Sequence, residues 1–276
     1  MSILGIAGIA GIGLATSTPQ AASGGEGFTP PGPSTFEYPA IAAGVTKPMV
    51  LIVLAAVLAF AALYATARKA AVVPGKLQYA GEQGYTFVRN GIARDIIGQH
   101  DFMKFVPYLV ALFFFLLINN VFGLVPLIQF PSFSRAGFAY GLAALTWILY
   151  NGVGIYRHGV VGYLKNQSVP AGVTGPILVL IIPLEFVSNI VVRPVTLALR
   201  LFANMFAGHL LLILFTIGGE YLVFESGNLA YAPVGVLAWL MATAVSFLEL
   251  LVQFLQAYVF TLLTAMYISG ALSEEH

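Results

Sequence analysis

No cysteine occurs anywhere in the 276 residues, which excludes disulfides, thiolate nucleophiles and cysteine-based metal sites together. Charge is nearly as scarce, with Asp, Glu, Lys and Arg making up 8% of the chain against roughly 25% in a soluble domain. The two signs almost cancel, leaving a net +1, so nothing calls for nucleic acid as a partner. A Walker-type Gly-Lys loop, a His-Glu-x-x-His pair and a Ser-centred elbow are all missing. No nucleotide-hydrolysing or peptidase chemistry is therefore legible, and neither a cofactor nor a metal is expected. No internal repeat is visible, which argues against a transporter built from inverted halves. What abounds is apolar surface: 59% of residues are hydrophobic and the mean hydropathy is +0.91. These values describe an integral membrane protein, and one that crosses as α-helices.

Residues 1–46 read as an extracytoplasmic N-terminal segment, and residues 47–276 as the membrane domain. Met1–Ala15 has the length of a signal-peptide core and small residues follow it, but it lacks a basic start. Whether the signal-like stretch 1–22 is removed stays open. Residues 24–39 are rich in Gly and Pro and read as irregular. Met49–Ala67 has about the 20 apolar residues needed to cross the bilayer. Gly75–Gly98 mixes polar and apolar residues at helical spacing, as an interfacial amphipathic helix would. Further crossings are expected at Phe105–Ile128 and Phe138–Tyr156. Ile177–Gly219 and Val234–Gly270 are each about forty residues long, too long for one perpendicular crossing. The fold expected is all-α, with about five spans plus the interfacial helix, the last two helices long and strongly tilted as an antiparallel hairpin.

Basic residues give an orientation. Arg68, Lys69, Lys76, Arg89, Arg94, Lys104, Arg157 and Lys165 fall in loops on one side, whereas Lys47 and Arg135 fall on the other. By the positive-inside rule the first side is cytoplasmic, with the N-terminus outside and the C-terminus inside.

Within the fourth span, Arg193, Arg200, Asn204 and His209 interrupt an otherwise apolar sequence. A guanidinium at the bilayer centre is costly enough to persist only against a protein partner or a water-filled cavity. At about 100° per residue, Arg193, Thr196, Ala203, Asn204 and Ala207 all fall within roughly 60° of Arg200, while His209 falls opposite. One stripe is thus cationic, polar and small, suited to close approach by another helix. In the last span Ser246, Glu249, Gln253 and Gln256 share a face and should line a buried polar path. Antiparallel packing would bring His209 near Glu249 as a proton relay. Plainer roles stand beside these: Arg193 neutralising Glu185 or backbone carbonyls freed by Pro194, Gln253 bridging helices, and Asn119 and Asn120 making interhelical contacts.

Leu-Arg200-Leu-Phe-Ala-Asn204-Met-Phe-Ala-Gly-His209, Glu249…Gln256-Ala-Tyr, Val73-Pro-Gly-Lys76, Asn120-Val-Phe-Gly-Leu-Val-Pro126 and the closing Ser-Glu-Glu-His resemble the subunit a family of the bacterial F-type (F1Fo) ATP synthases. The resemblance runs from about Phe36 to His276. It implies a proton-translocating stator without a catalytic site of its own, set in the bacterial plasma membrane. Its implied partners are a ring of c subunits, b subunits of the peripheral stalk and the remaining F1Fo subunits. Arg200 would face the c-ring carboxylate. An outer half-channel would use Asn204, His209, Glu249, Gln256 and Gln253, and an inner one Glu185, Ser188 and Asn189. Two departures stand out: many bacterial members carry the acid and imidazole at the positions of His209 and Glu249 in exchanged order, and some carry a carboxylate at Gly123. A free-standing ion transporter and a membrane anchor for an assembly remain the alternatives.

Overall fold

The structure, a computed structural model, describes residues 28, 30–32, 45–68, 75–125, 128–168 and 178–273. The signal-like stretch, Lys69, Val73-Pro74, Pro126 and the last three residues lie outside it. Five helices are long and apolar enough to span: Lys47–Arg68, Phe102–Val121, Ala136–Lys165, Leu180–Glu225 and Ala232–Leu272. The expectation of an all-α membrane protein with five spans is borne out, and the chain is a multi-pass membrane protein.

Helix α1 (Lys47–Arg68) precedes α2 (Lys76–Val88), the expected amphipathic helix. A π-helical turn at Arg89–Arg94 and the short α3 (Asp95–Ile97) extend α2 to Gly98. The glycines that dilute the apolar face of α2 have a packing role, since a Cβ on Gly81 would strike Thr66 of α1 and one on Gly84 would strike Phe114. Helix α4 (Phe102–Val121) runs through the middle of the bundle and is its most buried span. Val106, Leu109, Val110, Phe113 and Leu116 form the core there with Leu197, Leu201, Met205, Phe260 and Ile268 of the two long helices.

Helix α5 (Ala136–Ser168) is longer than its apolar pattern predicts, and it is broken at Gly159, where φ is 71°. That left-handed backbone suits glycine alone among ordinary residues. The chain folds back there, so that the Tyr163 hydroxyl donates to Asn151 Oδ1 at 3.0 Å. The Tyr163 ring also fills the place a side chain on Gly154 would take.

The fourth span is one continuous helical rod: α6 (Leu178–Val187), a π turn at Ser188–Val192, α7 (Arg193–Glu220) and a second π turn at Tyr221–Glu225. Pro183 and Pro194 do not interrupt it. Pro194 has no N–H for the carbonyl of Ile190, four residues back, and the Trp147 indole donates to that carbonyl instead, at 2.9 Å. Next to it, Tyr150 donates to the Asn189 carbonyl at 3.4 Å. The widened turn thus falls where a proline has already vacated a backbone acceptor. Residues 226–231 then reverse the chain into α8 (Ala232–Leu272).

Helices α7 and α8 form the expected antiparallel hairpin. Residue pairs met along it run 219 with 235, 216 with 239, 208 with 249 and 204 with 256. At 1.5 Å per residue the 41 residues of α8 extend roughly 60 Å, twice the ~30 Å hydrocarbon thickness, so the hairpin crosses at a steep tilt.

Candidate functional site

Arg200 is exposed on α7, as are Thr196, Leu199, Ala203 and Ala207 around it. The stripe drawn on the helical wheel is a real open face, walled only by small or aliphatic side chains. On the opposite side of the same helix His209 is 8% exposed, as its position half a turn away requires.

Behind the arginine a polar line runs between α7 and α8. Asn204 lies one turn beyond Arg200, half-buried, and its Nδ2 donates to Gln256 Oε1 at 2.7 Å. Gln256, Gln253 and Glu249 are all buried on the inner face of α8, where the i, i+4, i+7 spacing puts them. Gln253 Nε2 donates to Glu249 Oε1 over a long 3.4 Å, and Asn120 Nδ2 of α4 donates to the Gln253 backbone carbonyl at 3.1 Å. The Glu249 carboxyl lies against Gly208, where a Cβ would come within 3.3 Å of Oε1. The absent side chain at 208 is what lets a carboxyl into this crossing, one residue from His209. His209 itself hydrogen-bonds the backbone of Gln129, so each member of the expected relay is held by a different group. Gln129 carries no sequence signal; it comes from the turn between α4 and α5, with a positive φ of 44°.

Several atoms of this line are buried and have no hydrogen-bond partner among the described residues: Glu249 Oε2, Gln253 Oε1, Gln256 Nε2, Asn120 Oδ1 and both amide atoms of Asn119. Buried polar groups are rarely left so, and water-sized partners are the usual remedy. Asn120 makes the interhelical contact expected from sequence, whereas the Asn119 side chain makes no hydrogen bond among the described residues.

The residues placed ahead of the arginine are more dispersed. Glu185 and Ser188 are half-buried. Asn189 is buried and donates to the Gln167 carbonyl at 2.7 Å, tying the π turn to the end of α5. Arg193 lies with its guanidinium carbon 5.5 Å from the centre of the Tyr267 ring, a cation–π contact that fastens α7 to α8. Among the described residues no group of three or more His, Cys, Asp or Glu is arranged to hold a metal.

The ATP synthase A chain family matches residues 48–269, which include the arginine face and the polar line behind it. The chain belongs to that family. Bacterial relatives agree over nearly their whole length. ATP synthase subunit a of Nocardioides sp. (strain ATCC BAA-499 / JS614) is 63% identical over 266 residues, covering 91% of this chain and 96% of that one. The subunit a of Pseudarthrobacter chlorophenolicus is 50% identical, over 89% and 93% of the two chains. That of Streptomyces lividans is 44% identical, over 83% and 80%. Within this subunit a family the fold supplies two features without an outside reference: a cation on an open face, and a buried carboxyl, imidazole and amide set on the closed side.

Proposed function

We propose that the chain is the proton-conducting stator of an F-type ATP synthase in a bacterial plasma membrane, working against a ring of c subunits and held by b subunits. The observation that carries the reading is Arg200, exposed in the apolar 46-residue span Leu180–Glu225. A charge so placed would be expensive against lipid, and a carboxylate presented by a partner within the bilayer removes that expense.

Arginine does not give up its proton in proteins, so Arg200 is not a carrier. Its fixed charge favours the ionised form of a carboxylate that comes beside it. An arriving rotor site would release its proton toward one half-channel and take up another only after moving past. The same charge repels protons that would otherwise hop straight across, which ties transfer to rotation. Glu249, His209, Gln253, Gln256 and Asn204 form the outer path, a role supported by the burial of the first four and by the buried atoms of Glu249, Gln253 and Gln256 that lack a hydrogen-bond partner among the described residues. Glu185 and Ser188 form the inner path, and the donation from Asn189 to Gln167 gives Asn189 a structural share in it.

Cysteines at Thr196, Ala203 and Ala207, each crossed with cysteines flanking the c-subunit carboxylate, test this in native membranes. Disulfides forming from all three, and not from Ala143 on the buried side of α5, are expected. The reverse pattern would refute the assignment of this face.

A further inference from the structure

A second site lies at one end of the bundle, away from the arginine face. Between α4 and α5 a cavity of about 380 Å³ opens beside Asp101, Lys104 and Arg157 and runs along Phe105, Ile148 and Gly152. Its polar end sits at the start of α4 and just before the break in α5. Asp101 directly precedes α4, and Arg157 comes two residues before the break at Gly159. Lys104 Nζ is 2.8 Å from Asp101 Oδ1, and Arg157 is close enough to act on the same carboxylate. Hydrogen bonding from Lys104, then its charge, holds the Asp101 carboxyl below the usual carboxylate range, so it stays ionised at neutral pH. Two cations and one anion leave the lining one positive charge in excess. The walls beyond them are hydrocarbon: Ile148 is 60% exposed, and the Tyr156 ring at the rim is 94% exposed. Gly152 has no atom within 4 Å of where a Cβ would stand, so its missing side chain keeps the groove open.

We propose that this groove binds an anionic phospholipid, its phosphodiester at Lys104 and Arg157 and the start of an acyl chain along Phe105, Ile148 and Gly152. The volume suits that fragment, being room for roughly a dozen water-sized groups. A single phosphodiester charge balances the lining, and basic clusters at a span end draw anionic headgroups. A free phosphate would leave the apolar length of the groove unused. Tyrosine at the rim is the residue that favours the headgroup level.

Photo-crosslinking of the assembled complex in nanodiscs tests this, with a phosphatidylglycerol carrying a photoreactive group near the top of one chain and a matched phosphatidylcholine as the neutral probe. Phosphatidylglycerol should label peptides from 102–105 and 148–157 at least several-fold more than phosphatidylcholine. Arg157→Gln should cut that labelling about fivefold, the scale expected for one basic residue at a membrane surface, and Arg157→Lys should retain most of it. Gly152→Leu should abolish it with every charge in place. Equal labelling by the two probes, labelling indifferent to both Gly152→Leu and Arg157→Gln, or displacement by millimolar inorganic phosphate would each overturn the proposal. The comparison of probes on the unaltered complex needs no variant to fold.

Discussion

A guanidinium and a carboxyl in the same membrane protein need not meet to cooperate. Here Arg200 faces outward while Glu249 is buried behind α7 against Gly208, so on the proposed function each would act on a third group that passes between their environments. For Arg200 the consequence is an all-or-none requirement. Arg200→Ala should abolish proton-driven ATP synthesis with the subunit still at normal levels in the membrane. Arg200→Lys should fail nearly as badly, because a compact ammonium lacks the planar fork and loses its proton when desolvated. Synthesis assays on inverted vesicles, with immunodetection of the subunit, read both. Asn204 and Gln256 carry no charge and share one 2.7 Å hydrogen bond. Gln256→Ala should slow synthesis several-fold without stopping it, and adding Asn204→Ala should cost little more, since the first change has already removed the bond. Independent, multiplying losses would show that the pair does not act as a unit.

Helical order in the two long spans was legible from length and apolar content alone, and so was the wheel that set Arg200 outside and His209 inside. Pro183 and Pro194 offered possible bends in the fourth span, and helical order continues through both, because breaking the helix is only one way to accommodate a missing donor. A widened turn with side chains donating into it is another, and it depends on Trp147 and Tyr150, more than forty and nearly forty residues away from Pro194 and Asn189. Distance in sequence hides such a pairing. The break at Gly159 was hidden for the opposite reason, since one glycine among several in α5 gives no sign of which takes a positive φ. The backbone repair can be tested directly. Trp147→Phe keeps the ring and removes the donor to the Ile190 carbonyl, leaving a part-buried acceptor unmet; a loss of about 1 kcal/mol is expected, read as a lower unfolding temperature of the detergent-solubilised complex. An unchanged transition would mean that another group reaches that carbonyl.

Five spans put the two ends of the described chain on opposite sides of the membrane, and by the positive-inside rule the end richer in basic residues is expected to be the cytoplasmic one. Arg89, Arg94, Lys104 and Arg157 belong to the end of the bundle where α8 finishes. A reporter fused after His276 should therefore be active only as a cytoplasmic fusion, and a tag placed between residues 28 and 45 should be labelled by membrane-impermeant reagents from outside intact cells. The opposite pattern would invert the inner and outer half-channels along with it. Much of what locates the site at this scale escapes a reading of one sequence: Gln129 and Gly208 frame His209 and Glu249 through packing between segments that only the assembled bundle brings together.

The hairpin of α7 and α8 is fastened at three levels. Arg193 rests over Tyr267 at one end, Asn204 bonds Gln256 near the middle, and at the far end the backbones close in so tightly that a Cβ on Gly219 would meet Trp239 and one on Gly235 would meet the Gly219 carbonyl. The fastenings follow one another at roughly 16 and 22 Å along the axis of α7. A rotor dragging past the open face would load this helix sideways, and a rod held only at Arg193 and Gly219 would bow between them, over the stretch that carries Arg200. With a support one turn from the guanidinium, the unsupported lengths are short and the deflection at the charge is small. On the proposed function, the bond between Asn204 and Gln256 would then have a mechanical use beside its place in the proton path: a bearing block, keeping the gap to the rotor constant under torque.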